Sequence, residues 1–152
     1  MLPILLVLTF IVLSLLHVHW AFGGTIGSTA TIPIVNNEPL FEPSRMDAWL
    51  VALALACCAV LMARLAGWLS WWSPRGRVFR WMGYALSAVF LIRAIGDFKY
   101  GGFFKQVQGT EFAHYDTWIY SPLCLFISIA VFLLVRRNLA LENIINTEAP
   151  KG

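Results

Sequence analysis

The stretch from Arg93 to Lys105 concentrates charged side chains in a chain that is otherwise poor in them. It reads RAIGDFKYGGFFK and begins inside an apolar segment, whereas only 12% of the whole chain is charged. Arg93 and Asp97 are four residues apart, so in a continuous helix they share one face. A guanidinium within an apolar segment needs a partner. The spacing supports two interpretations: an internal Arg93–Asp97 ion pair, or an arginine that binds an anionic or carbonyl group while Asp97 orients it.

The end of the first apolar segment carries a second set of polar and aromatic side chains, His17, His19 and Trp20. His17 and Trp20 share a helix face, whereas His19 lies about 200° around the axis from His17. The two histidines cannot bind one metal ion without another helix, so no metal site is predicted. Either one could handle a proton, because histidine titrates near neutral pH. The candidate catalytic residues are His17, His19, Arg93, Asp97 and Asp116.

The segment from Lys105 to Ser121 adds further polar groups next to the fourth apolar stretch. Ser121, His114 and Asp116 could formally form a nucleophile, base and acid triad, but no nucleophile motif surrounds Ser121. The sequence identifies no cofactor. The candidate ligand-binding residues are Trp20, Arg93, Asp97, Lys99, Tyr100, Lys105, His114, Asp116, Tyr120 and Ser121.

The elements that position these residues are four apolar stretches. Hydrophobic residues make up 59% of the 152-residue chain, which indicates lipid as the solvent. The stretches, at about residues 2–22, 46–69, 81–98 and 118–136, have the length of about 17 to 25 residues that a bilayer requires. A helix satisfies its own backbone in lipid. The predicted fold is all-α, an integral membrane four-helix bundle that forms one domain over residues 1–152.

Local signals place several boundaries of these helices. Thr29–Val35, in the first connection (residues 23–45), is predicted to be extended, and Ser44 with Asp47 forms a capping box that starts the second helix. The fourth helix has two predicted starts: Asp116 or Thr117 as the cap, or Ser121 as the cap with Pro122 at the first helical position. It is predicted to end at Arg136–Arg137, before a polar, frayed tail (residues 138–152).

Basic residues predict the orientation of the bundle. The connection at 70–80 and the neighbouring helix ends carry six arginines, against three basic residues on the opposite side. The six are Arg64, Arg75, Arg77, Arg80, Arg136 and Arg137, and the three are Arg45, Lys99 and Lys105. Positive charge is enriched on the cytoplasmic side. Both termini and residues 70–80 are therefore predicted to be cytoplasmic, while 23–45 and 99–117 face the exterior with the candidate site.

Four motifs carry a resemblance to a known family. They are Trp20-Ala-Phe-Gly-Gly, Arg93-Ala-Ile-Gly-Asp-Phe, Gly102-Phe-Phe-Lys and Asp116-Thr-Trp-Ile-Tyr-Ser-Pro-Leu-Cys. Over residues 5–137 the chain resembles a bacterial group of small four-helix membrane proteins catalogued as domain of unknown function 3995. The resemblance implies four spans and a bacterial inner-membrane location. It implies no activity, cofactor or catalytic residue.

The sequence leaves three hypotheses for function. The first is a binding or accessory protein whose outward polar cluster holds a small amphipathic or lipid-like ligand or a partner subunit. The second is a small intramembrane enzyme, an isomerase or lipid-modifying enzyme, in which His17 or His19 is the acid or base and Arg93 stabilises developing negative charge. The third is a transporter or channel, which would require a homo-oligomer. The expected partners are membrane lipids and not nucleic acid.

Overall fold

The computed structural model describes residues 1–27, 31–35, 38–40, 43–69 and 77–148. Within them the chain is all-helical apart from one antiparallel pair of two-residue strands, β1 and β2, in which Ile34 lies opposite Pro39 and Val35 opposite Glu38. The elements in order are α1 (Leu2–Ala21), β1 (Ile34–Val35), β2 (Glu38–Pro39), α2 (Arg45–Leu65), α3 (Arg77–Ile95), α4 (Glu111–Tyr115), a π-helical turn (Asp116–Tyr120) and α5 (Ser121–Glu148). The predicted all-α class is confirmed. Residues 29–30, at the start of the predicted extended stretch, and residues 70–76 lie outside the described residues.

The ends of α2 follow from its sequence. The predicted capping box is confirmed, because the Ser44 N–H donates to Asp47 Oδ2 (2.9 Å) and the Asp47 N–H donates to Ser44 Oγ (3.2 Å). Such a cap contributes about 1 kcal/mol. At the other end Gly67 has a φ of +81°, and the N–H of Trp68 donates to the carbonyl of Ala63 (3.1 Å). This glycine termination ends α2 at Leu65, so the predicted end at residue 69 is wrong.

The fourth helical segment begins earlier than either predicted start. Thr110 caps α4 by accepting a hydrogen bond from the Ala113 N–H (3.1 Å), and the chain stays helical through the π-helical turn into α5. Both predicted starts, at Asp116 or Thr117 and at Ser121, are therefore wrong. Pro122 sits inside the helix, where it has no N–H to donate and its ring crowds the carbonyl four residues earlier. The wider turn before it accommodates this ring and adds a residue to the turn.

Helix α5 also extends past its predicted end. It continues to Glu148 rather than stopping at Arg136–Arg137, because residues 138–148 contain no glycine or proline. Asn138 Nδ2 donates to the carbonyl of Leu65 (2.6 Å), one of the unsatisfied carbonyls at the end of α2. The predicted frayed tail is thus helical as far as the structure describes it. Helix α3 likewise is already formed at Arg77 rather than starting near Trp81.

The bundle consists of two helical pairs that meet at one end. Helix α1 packs mainly against α2, and α3 mainly against α5. The pairs join in a core whose fully buried members come from the first half of α1, the last turns of α2 and the middle of α5. These members are Leu6, Phe10, Met62, Ile127, Val131 and Val135. We call this the packed end, and we call the opposite end, where α1 and α3 finish and α2 and α4 begin, the open end.

Small polar residues hold the α3–α5 pair together. Ser87 Oγ donates to the carbonyl of Ser128 (2.9 Å), and Ser128 Oγ donates to the carbonyl of Ser87 (2.8 Å). A Cβ on Gly83 would lie 2.5 Å from Cγ2 of Val135, so only glycine allows this approach. Close packing of small residues is typical of helices that associate in lipid.

Four helical segments are long and apolar enough to cross a membrane. They are Leu2–Ala21, Arg45–Leu65, Arg77–Ile95 and Glu111–Ala140, with mean hydropathies of 2.3, 2.2, 1.4 and 2.3. Large apolar side chains such as Val12, Leu53 and Ile92 are more than 60% exposed on the surface of the bundle. Surfaces of this kind are stable against lipid, and they indicate a multi-pass membrane protein.

Candidate functional site

Asp116 is the centre of a buried ionic network at the open end. The π-helical turn brings its fully buried carboxylate between the end of α3 and the chain that precedes α4. Oδ1 accepts from Arg93 Nη2 at 2.8 Å. Oδ2 accepts from the Gly102 N–H (2.7 Å), Lys105 Nζ (3.1 Å) and Ser121 Oγ (3.2 Å). A buried carboxylate requires such partners, since an unpaired one would be strongly destabilising.

Lys105 is completely paired within this network. Its side chain is 5% exposed. Besides Asp116, its ammonium donates to the Gly102 carbonyl (3.1 Å) and to Thr117 Oγ1 (2.7 Å). An ammonium has three N–H donors, so no donor of Lys105 is left for a ligand.

Arg93 differs from Lys105 because it is paired on one side only. Its side chain is 41% exposed, and Asp116 is the one described residue that accepts a hydrogen bond from its guanidinium. A Cβ on Gly101 would lie 3.3 Å from Nη1, so the glycine backbone lies directly beside the cation. The predicted Arg93–Asp97 ion pair is wrong, because the partner is Asp116.

Asp97 instead organises the turn that follows α3. Its Oδ1 accepts the N–H groups of Lys99 (3.0 Å), Tyr100 (2.7 Å) and Gly101 (2.9 Å). Gly96, with a φ of +95°, ends the helix at Ile95 and takes Asp97 off the helical face that it was predicted to share with Arg93. The Gly101 N–H, assisted by those of Tyr100 and Lys99, holds the pKa of Asp97 below its usual range even though partial burial opposes this shift.

Two glycines allow this turn to fold against the end of α3. Gly102 has a φ of +90°, and a Cβ there would lie 2.3 Å from Cα of Gly96. The Gly102 N–H is also a donor to Asp116. The close glycine contact therefore sets the position of the buried carboxylate.

A cleft of about 590 Å³ opens beside the exposed side of Arg93. We call it the Arg93 cleft. Its lining combines the arginine with apolar side chains from α3, from α4 and from the first connection. The lining residues include Leu40, Val89, Ile92, Arg93, Asp97, Tyr100 and Phe112.

A second cavity of about 520 Å³ lies between the end of α1 and the start of α2. We call it the His17 cleft, and its lining includes His17, Trp20, Arg45, Ala48 and Val51. Thr31 lines both clefts, so they are neighbours at the open end.

The other predicted site residues lie outside these two clefts. Lys99 is exposed, with Nζ 4.9 Å from the centroid of the Tyr100 ring. His114 and Lys105 line a separate open groove near Thr110. Tyr120 stacks on Tyr115 with ring centroids 6.4 Å apart.

Two of the proposed histidine roles do not match this geometry. The His19 ring packs on Gly24, where an added Cβ would lie 2.1 Å from Nε2. The triad arrangement is wrong, because buried Ser121 bonds to Asp116 directly and His114 is exposed in another groove. Of the candidate catalytic set, the structure places Arg93 and Asp97 on one cleft, His17 on its neighbour and Asp116 beneath Arg93.

Several residues of the site had no role in the sequence-based prediction. Gly102 and Thr117 complete the network, while Thr31 and Leu40 approach from the first connection. One signal was present, because Asp116 is an acidic residue next to the fourth apolar stretch and such residues are usually paired. Among the described residues no group of three or more His, Cys, Asp or Glu side chains could hold a metal ion.

Comparison with known proteins finds one family. A family model described as "Protein of unknown function (DUF3995)" matches residues 10–131, which is most of the chain. The resemblance predicted from the four motifs is confirmed. No curated protein and no solved structure gives a significant match.

Proposed function

Because the chain belongs to the DUF3995 family, whose function is unknown, we propose a function from its geometry: it binds the acidic head of a lipid-like amphiphile in the Arg93 cleft. The observation that carries this proposal is the unequal pairing of two cations on one carboxylate. Arg93 and Lys105 both bond to Asp116, so the network keeps one positive charge in excess. Lys105 is fully paired, and the excess charge of the network therefore faces the cleft through Arg93. The Asp97 carboxylate also lines the cleft, where three backbone N–H groups bond to it.

The position of this charge favours an anionic ligand. Arg93 lies two residues before the end of α3, within a segment apolar enough to span a membrane. A charge at such a place costs roughly 2.5–3.5 kcal/mol on insertion scales. An acidic group that bonds to the free side of the guanidinium would offset part of this cost, and arginine presents paired donors that match a carboxylate or phosphate.

The walls of the cleft favour an apolar chain on the same ligand. Val89 and Ile92 line the cleft and are 60% and 66% exposed, so the cleft is open along the lipid-facing side of α3. Leu40 and Phe112 add apolar surface to the lining. An amphiphile from the bilayer could enter sideways and place its chain along α3 while its head meets Arg93.

Binding is favoured over catalysis by the composition of this cleft. Its described lining contains no histidine, and the carboxylate of Asp97 is already held by three backbone N–H groups. General acid or base catalysis needs a group that is free to exchange a proton with the ligand. The enzyme and oligomeric transporter hypotheses have no comparable support.

Native mass spectrometry of the detergent-solubilised protein can test this proposal with oleyl phosphate and, as the uncharged match, oleyl alcohol. A hydrogen bond to a charged group contributes about 1.5–3 kcal/mol. We expect Arg93→Gln to weaken oleyl phosphate binding roughly tenfold or more and to leave oleyl alcohol binding unchanged. Arg136→Gln, the same substitution at an exposed arginine of α5, should change neither.

A second variant separates binding from folding. Ile92→Trp enlarges an exposed wall residue without touching the ionic network, and it should reduce binding of both probes by filling the cleft. Wild-type affinity for oleyl phosphate in both Arg93→Gln and Ile92→Trp would contradict the proposal.

The proposed location is the bacterial inner membrane, with both termini cytoplasmic and the open end facing outward. The excess of arginines near the packed end supports this orientation. In a variant without the native cysteines, an impermeant maleimide added to intact cells should label Gln108→Cys and leave Arg137→Cys unlabelled. Both positions are exposed in the structure. The reverse labelling pattern would show that the protein has the opposite orientation.

A further inference from the structure

The His17 cleft contains a hydrogen-bond acceptor that no described residue uses. His17 Nδ1 lies 2.8 Å from the carbonyl oxygen of Leu13. A carbonyl can only accept, so Nδ1 carries the hydrogen of the neutral ring and Nε2 keeps its lone pair. Since His17 lines the cleft, a ligand there can donate a hydrogen bond to Nε2.

The guanidinium of Arg45 lies at the rim of the same cleft. Arg45 is the first residue of α2, and its Nη2 lies close to Gly23, where a Cβ would be 3.5 Å away. No described residue accepts a hydrogen bond from its guanidinium. Asp47 also lines the cleft, and its Oδ2 accepts the backbone N–H and the hydroxyl of Ser44 at 2.9 and 2.8 Å.

Most of the remaining lining is apolar, and its polar members are Thr31, Ser44 and Asp47. Trp20 donates its indole N–H to the carbonyl of Ile26 (2.8 Å), so the ring contributes an apolar surface to the cleft. Its edge-to-face contact with His17, at 4.7 Å between centroids, holds the imidazole in place. Ala48 and Val51 of α2 line the opposite side.

The two polar groups lie at different depths. Arg45 is at the helix end, whereas His17 lies four residues before the end of α1 at Ala21, a distance of roughly 6 Å along the axis. A fitting ligand has an acidic group at the rim, a donor group a few ångströms deeper, and an apolar chain below. We propose that the His17 cleft is a second binding site, which takes a single-chain acidic amphiphile with a hydroxyl group next to its acidic head.

This second site is separate from the Arg93 cleft. A preference for a ligand with a hydroxyl group distinguishes it from the first site. Two pairs of probes differ only in this group: oleoyl lysophosphatidate against its 2-deoxy analogue, and 3-hydroxypalmitate against palmitate. Binding of each probe is measured by native mass spectrometry in the Arg93→Gln background, in which the first site binds acidic probes more weakly. We expect the hydroxylated member of at least one pair to bind roughly three- to tenfold more tightly. The pair with the larger difference identifies whether the acid is a phosphate or a carboxylate.

Substitutions at His17 test the acceptor itself. His17→Phe keeps an aromatic ring beside Trp20 but has no Nε2, and it should abolish the preference for the hydroxylated probe. His17→Gln offers an acceptor again and should restore part of that preference. His19→Phe is the matched control, because it makes the same change at a ring that is not part of the described lining.

Arg45→Gln tests the rim. The substitution should weaken the binding of both probes of a pair equally, because it removes the partner of the acidic group and leaves His17 in place. The proposal is overturned if neither pair shows a preference in the Arg93→Gln background, or if His17→Phe retains the wild-type preference.

Discussion

The packed end and the open end of the bundle differ in what their interiors contain. At the packed end Phe10, Met62 and Val131 are fully buried among other apolar side chains. At the open end the interior holds Asp116 and Lys105 together with two clefts. The packed end joins the two helical pairs through apolar contacts, whereas the open end contains a buried ionic network and two clefts.

The largest expected effect comes from removing the shared carboxylate at the open end. Asp116→Ala leaves Lys105 as a buried cation without its counter-charge, and breaking a buried ion pair costs about 3–5 kcal/mol. We expect the melting temperature in detergent, measured by circular dichroism, to fall strongly. Asp116→Asn keeps the shape of the side chain and should lower the melting temperature less. Wild-type stability in Asp116→Ala would show that the network contributes nothing to the fold.

Phe10→Ala makes the complementary change at the packed end. It opens a cavity in the core, and such substitutions cost about 3 kcal/mol or more. Oleyl phosphate binding, measured below the unfolding temperature, should stay at the wild-type level because the Arg93 cleft is at the other end. If the affinity falls tenfold while the protein is folded, the two ends are coupled and the proposed division fails.

A smaller effect is expected from the turn that supports the carboxylate. Gly102→Ala places a Cβ 2.3 Å from Cα of Gly96 and forces a positive φ on alanine, a strain of about 1–3 kcal/mol. Both stability and oleyl phosphate binding should decrease, because the Gly102 N–H helps to hold Asp116. Gly109→Ala is a useful control, since Gly109 also has a positive φ but no described atom within 4 Å of its Cβ position.

The smallest effect concerns the acid stability of the same turn. Asp97 has a lowered pKa in the folded protein, so its carboxylate stabilises the turn above the ordinary titration range, about pH 4, and this stabilisation is lost as the pH falls through the lowered pKa. In ¹⁵N-glycine-labelled protein, the Gly101 amide resonance should titrate with a midpoint below this range. Asp97→Asn should remove the titration. A midpoint at or above pH 4 would mean that the three N–H groups do not hold the carboxylate.

The sequence predicted the fold better than the site, for physical reasons. Hydropathy alone locates four helices, and the Ser44–Asp47 capping box is a local signal, so both were confirmed. The partner of Arg93 was predicted from helical spacing, which assumed that the helix continues to Asp97. Gly96 ends the helix before it reaches Asp97. Asp116 is 23 residues away in sequence, and only the fold shows this pairing.

The clefts could not be predicted from local patterns at all. Thr31 lines both of them and Leu40 lines one, although both residues belong to the connection between α1 and α2. The π-helical turn that contains Asp116 comes just before Ser121 and Pro122, and at the sequence level this proline was also consistent with a helix start. Contacts across the chain, rather than composition, therefore define the site.

Photo-crosslinking can show whether an acidic amphiphile occupies the Arg93 cleft. A diazirine-bearing oleyl phosphate is bound to the protein in detergent, irradiated, and mapped by tandem mass spectrometry. We expect adducts between Val89 and Gly101 that are strongly reduced in Arg93→Gln and persist in Arg136→Gln. Adducts confined to the packed end around Met62 and Val131, or an unchanged pattern in Arg93→Gln, would contradict it.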